Sequence, residues 1–140
     1  MWLSFSYVVE RSSLEEAMKV LTSEATQVIE SYLEAVSGKR KTEEVIEQYV
    51  SDPALKEHIR QVEAAFPYYE LTAEQLVGEG DTVAFRGKFR GTHRGEFAGI
   101  PPTGKLVSAD LMLFYRLDGG KIAKHWMVLD TMALMSQLNN

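Results

Sequence analysis

Leu106-Val107-Ser108-Ala109-Asp110-Leu111-Met112-Leu113-Phe114-Tyr115-Arg116-Leu117-Asp118-Gly119-Gly120-Lys121-Ile122-Ala123-Lys124-His125-Trp126-Met127-Val128-Leu129-Asp130 is the stretch that decides the fold. Successive side chains of a strand point to opposite faces. Val107, Ala109, Leu111, Leu113 and Tyr115 therefore share one face of a long strand over 106–117. Ser108, Asp110, Met112, Phe114 and Arg116 share the other. Asp118-Gly119-Gly120 is tight hairpin chemistry, so residues 121–130 form the antiparallel return strand. On it His125, Met127 and Leu129 lie on one face, and Trp126, Val128 and Asp130 on the opposite one.

Working outward, residues 82–92 alternate in the same way, with Val83, Phe85, Gly87, Phe89 and Gly91 on one face. Gly78-Glu79-Gly80-Asp81 precedes them as a turn. A loop from Gly95 to Gly104 follows, carrying Gly99, Pro101 and Pro102. Thr131 to Leu138 reads as a short terminal helix. The first half of the chain has helical spacing instead. Ser12 and Ser13 are each followed three residues later by glutamate, a capping-box spacing. Apolar residues then recur from Leu14 to Val36 at three- and four-residue steps, predicting one long helix or two abutting ones. Thr42 caps a second helix with Val45, Ile46, Tyr49 and Val50. Asp52-Pro53 opens a third with Leu55, Ile59, Val62 and Phe66 on one stripe, ended by Pro67. Leu3, Phe5, Tyr7 and Val9 alternate, as in a strand or a loose arm.

Helices followed by an antiparallel meander predict an α+β fold: three N-terminal helices packed on a strongly curved sheet. An N-terminal extension is expected over residues 1–20, and one domain over residues 21–140. A bent sheet covered by helices encloses a conical pocket, a usual place for a ligand.

The 140 residues include 15 basic and 20 acidic side chains, a net charge of −5. Nucleic-acid binding needs a basic face, and Lys39-Arg40-Lys41 is the one compact basic cluster. Without cysteine, thiolate metal sites, disulfides and thiol nucleophiles are excluded. No apolar run approaches the ~20 residues of a membrane span, and the N-terminus lacks signal-peptide features. The expectation is a cytoplasmic protein with no nucleic-acid or membrane partner.

The segments Gly91-Thr92-His93-Arg94-Gly95-Glu96-Phe97-Ala98-Gly99-Ile100-Pro101-Pro102-Thr103-Gly104-Lys105 and Phe114 to Trp126 resemble the SnoaL-like polyketide cyclase family of the nuclear-transport-factor-2-like superfamily. Ala65-Phe66-Pro67 and Glu79-Gly80-Asp81-Thr82-Val83-Ala84 match it as well, so the resemblance covers roughly residues 22 to 138. It implies an α+β cone, a homodimer packed sheet to sheet, and ring closure of polyketide esters by an intramolecular aldol step. That chemistry needs a base and enolate-stabilising donors, and no cofactor or metal. The family's His-Trp strand continues with an aspartate that acts as acid and base. Met127 stands at that position here, and a thioether exchanges no protons.

On the expected inner face this leaves His125 as the candidate base, the plainer alternative being hydrogen bonding within the wall. Asp130 is a weaker catalytic candidate and a better helix cap. Ala109, Leu111, Leu113, Met127 and Tyr69 are the expected ligand-binding residues. His93 is expected to orient the glycine-rich loop, and His58 to be a solvated or boundary residue. The three histidines lack metal-ligand spacing, so no metal site is expected. The function this supports is binding of a hydrophobic small molecule in the cone. Alternatives are an active cyclase or isomerase using His125, and a dimerisation module with a vestigial pocket.

Overall fold

The structure, a computed structural model, describes residues 13–14 and 24–140. Helix α1 (residues 24–36) buries Ala25, Ile29, Tyr32, Leu33 and Val36, a stripe at helical spacing. Ser13 and Leu14 are also helical. The rest of the expected early helix, the alternation at Leu3–Val9 and most of the 1–20 extension lie outside the described residues. Helix α2 (Glu43–Tyr49) starts at Thr42, whose hydroxyl accepts the Val45 N–H at 3.2 Å. Helix α3 (Pro53–Ala65) starts at Asp52, whose Oδ1 accepts the Ala54 N–H at 3.0 Å. Each cap satisfies an N–H with no partner inside its own helix.

Strands β1 (Glu70–Glu79), β2 (Thr82–Thr92), β3 (Leu106–Asp118) and β4 (Lys121–Leu129) form one antiparallel meander in the order β1-β2-β3-β4. Helix α4 (Thr131–Asn139) follows. Burial alternates residue by residue along β3, with Val107, Ala109, Leu111, Leu113, Tyr115 and Leu117 inside. Gly119 and Gly120 both have positive φ, 59° and 77°, as a two-residue hairpin turn of matching twist requires.

Strand β1 has no counterpart in the expected elements. Its central residues are exposed, and a bulge between Ala73 and Gln75 breaks the period, so neither apolar alternation nor β-rich composition marks it. The bulge has a structural use, because an extra residue bends its strand. Gly87, paired with Ala73, sits at the bend: a Cβ there would lie 2.0 Å from the Thr72 carbonyl oxygen. The close approach of β1 to β2 thus depends on a missing side chain.

The helical layer is tied to the far edge of the sheet. Val50 pairs with Ile122 of β4, and the Ser51 and Asp52 N–H groups both donate to the Ile122 carbonyl, at 2.9 and 3.1 Å. Lys41, from the basic cluster, is buried rather than displayed. Its Nζ donates to the Tyr69 and Lys39 carbonyls at 2.6 and 2.7 Å, pairs with Glu63 at 3.3 Å, and lies 3.9 Å over the Tyr69 ring. Met112, Phe114, Trp126 and Val128 are exposed on the outer sheet face. Among the described residues no helix is long and apolar enough to cross a membrane.

Gly87→Ala is expected to lower unfolding free energy by about 1–3 kcal/mol, the usual cost of overpacking, measured by urea denaturation. An unchanged midpoint would contradict the role of Gly87 in the bend.

Candidate functional site

Between helices and sheet lies a cavity of about 80 Å³. Helix α3 contributes Leu55, His58, Ile59 and Val62, one face at spacings of three, four and seven. The sheet contributes Leu71, Phe89, Leu111, Leu113, Tyr115, Met127 and Leu129. Tyr32, Phe66, Tyr69, Phe97 and Leu134 complete the wall. The polar side chains in this lining are three phenols and one imidazole, those of Tyr32, Tyr69, Tyr115 and His58. Burial pushes all three phenols up, well away from neutrality, so they stay protonated and keep their O–H donors.

The glycine-rich loop between β2 and β3 brings Phe97 to this wall. The Arg94 and Gly95 N–H groups both donate to the Ala65 carbonyl at the end of α3, at 2.9 and 3.0 Å. A Cβ on Gly95 would stand 2.2 Å from the Ala64 carbonyl oxygen. His93 is fully buried, and its Nδ1 accepts the Thr103 N–H at 3.2 Å, which fixes the far end of the loop. Phe97 then meets Phe66 edge to face, with centroids 5.2 Å apart.

Leu111, Leu113, Met127 and Tyr69 line the cavity. Ala109 is buried in the core but is not part of the lining. Asp130 caps α4, its Oδ1 accepting the Ala133 N–H at 3.1 Å, and borders a groove beside Asp110 and Val128 on the outer side of the sheet. His125 sits opposite Tyr115 on the inner face, as its register demands, yet it is not among the lining residues. Its Nδ1 lies 2.7 Å from Oδ2 of Asp52, with the two side chains only 15% and 11% exposed.

Of the two readings of His58, solvated or boundary, the structure has the boundary one: the residue is half-buried and lines the cavity, and its ring stacks beside that of His125, with centroids 6.5 Å apart and planes 27° apart. The signal was present: position 58 falls three residues after Leu55 on the apolar stripe of α3. The Asp52–His125 contact joins residues 73 apart, and no local spacing encodes it.

The electrostatics are ordered. Burial raises the Asp52 carboxyl, but the hydrogen bonds from His125 and the Ala54 amide outweigh it and hold the group below its ordinary value. Asp52 is therefore a carboxylate at neutral pH, and the proton of the short contact sits on His125 Nδ1, which donates. Burial, then the charge of a protonated His125, lowers His58 from its ordinary 6.5. His58 is neutral at pH 7, able to accept a proton. Among the described residues no group of three or more His, Asp or Glu is arranged to hold a metal ion.

A depressed histidine contributes stability that is complete above about 6.5 and is lost as pH falls toward its folded value. Urea denaturation between pH 7.5 and 5 should show wild type losing stability on acidification, and His58→Gln losing less. Equal losses would contradict the buried neutral state of His58.

The sequence profile of the SnoaL-like polyketide cyclases matches residues 14–138. Among solved structures, the chain is similar to AclR from Streptomyces galilaeus, a candidate hydroxylase, at 26% identity and a TM-score of 0.73, covering 84% of this chain and 97% of that one. It is similar to TsrD from Streptomyces laurentii at 26% identity and a TM-score of 0.68, covering 83% and 95%. A SnoaL-like polyketide cyclase from Agrobacterium tumefaciens, 23% identical with a TM-score of 0.68 over 81% and 97%, shares the fold. No curated protein sequence matches the chain. With its α+β architecture and a family match across nearly its whole length, the chain belongs to the SnoaL-like polyketide cyclase family.

Proposed function

We propose that the chain binds a hydrophobic, carbonyl-bearing small molecule in the cone. The observation that carries this reading is the composition of the cavity wall: aliphatic and aromatic side chains with four polar tips, those of Tyr32, His58, Tyr69 and Tyr115. An apolar ligand gains roughly 25 cal/mol per Å² of surface it removes from water there. Phenol donors suit a carbonyl oxygen. The family's name points to polyketides, and a volume of about 80 Å³ accommodates a ring-sized part of such a molecule. Met127 fits a binding wall, being flexible and polarisable. Met112, Phe114, Trp126 and Val128 support a homodimer through the outer sheet face, where a second copy would cover apolar surface.

Methyl NMR with indole as the probe tests the site. Indole is expected to shift the methyl signals of Leu111, Leu113, Met127 and Leu134. Shifts confined to Met112 and Val128 would move the site to the outer face and contradict the proposal.

A further inference from the structure

We propose that His58 is the catalytic acid–base residue of the cone, and that His125 and Asp52 are positioning residues behind it. This deepens the reading of the cone as a site for a carbonyl compound, and rests on it. Three observations converge. Met127 occupies the wall and cannot carry a proton. His58 is the one imidazole in the lining, carried on the inward stripe of α3 between Leu55 and Val62. His125 has its Nδ1 committed to Asp52 at 2.7 Å and stacks beside His58.

The same carboxylate that holds His125 also starts α3. Oδ1 of Asp52 takes the Ala54 N–H and Oδ2 takes His125, so the helix bearing His58 and the strand bearing His125 are fixed to one group. His58 lies six residues beyond Asp52, on a stretch of helix whose start is thereby held. Of the titratable groups, Tyr32 of α1, Tyr69 before β1 and Tyr115 of β3 share the cavity wall with it, and His125 of β4, held by Asp52 at the start of α3, stacks beside it. The phenols remain neutral, so the neighbouring charge that acts on His58 is that of His125.

The step balances without a co-reactant. A neutral imidazole nitrogen of His58 takes a proton from the carbon alpha to a carbonyl. The C–H electron pair passes into the enolate, whose oxygen the phenols are suited to stabilise. The enolate carbon attacks a second carbonyl of the same molecule, and the alkoxide formed takes the proton back from the imidazolium. With no second carbonyl, the imidazolium exchanges its proton with solvent and returns it to carbon.

That last case supplies the test, with the full chain and cyclopentanone as the probe. In deuterium oxide, NMR follows replacement of its alpha protons by deuterium, and line broadening on the same samples reports binding. Wild type is expected to accelerate exchange, and His58→Gln to slow it by about 100-fold, within the usual contribution of a positioned base, while cyclopentanone still binds. Exchange by wild type should reach its plateau at a lower pH than exchange by free imidazole. His125→Gln should slow exchange less than His58→Gln does and move its midpoint upward, because His125 is one of the causes that lower His58. A merely structural role for His125 would not move that midpoint. Binding with no loss of exchange in His58→Gln overturns the assignment and leaves the cone as a binding site. Absence of binding by folded wild type overturns the reading of the cone itself, and the assignment with it.

Discussion

The carboxylate of Asp52 carries the arrangement. One oxygen satisfies the first turn of α3 and the other accepts His125 of β4. Around it, the N–H groups of Ser51 and Asp52 reach the Ile122 carbonyl of the same strand. A helical layer lying on a sheet by apolar contact alone has no fixed register, because such contact is non-directional. Here a short polar seam sets where α3 begins over the sheet. The inward stripe of α3, His58 included, falls over the cavity as a consequence.

At the opposite edge the constraint is steric. Gly87 lets β1 pass close to β2 beside a bulge, and Gly95 lets the loop lie against the end of α3. Both glycines stand where a methyl group would strike a carbonyl oxygen. The Gly-Thr-His and Pro-Pro-Thr-Gly segments are joined by the His93–Thr103 hydrogen bond, and that junction presents Phe97 to Phe66. Motif residues that look suited to chemistry in the sequence therefore serve the shape of the wall.

Much of this was legible in the sequence. The period-two alternation of β2, β3 and β4 marks their faces, because one side of each is buried and the other wet. Thr42, Asp52 and Asp130 announce helix starts, because a cap is a local interaction. β1 was not legible: an edge strand with exposed Glu74 and Gln75 and a bulge has no period to detect. In the site, the inward positions Leu111, Leu113 and Met127 follow from register alone. His125 has the expected face but a partner 73 residues away, which no spacing reveals. His58 was hidden differently. Its position on the stripe is visible, but a polar residue there reads equally as a boundary residue until the neighbouring wall is known.

The placement of His58 requires Asp52 and His125 to act as one unit. A double-mutant cycle with Asp52→Asn and His125→Gln, followed by urea denaturation at pH 7, measures that directly. The expected result is non-additivity, with a coupling energy of about 1.5–3 kcal/mol, the range of a hydrogen bond to a charged group. Strictly additive losses would show that the two side chains act independently and would contradict the seam on which the placement of His58 depends.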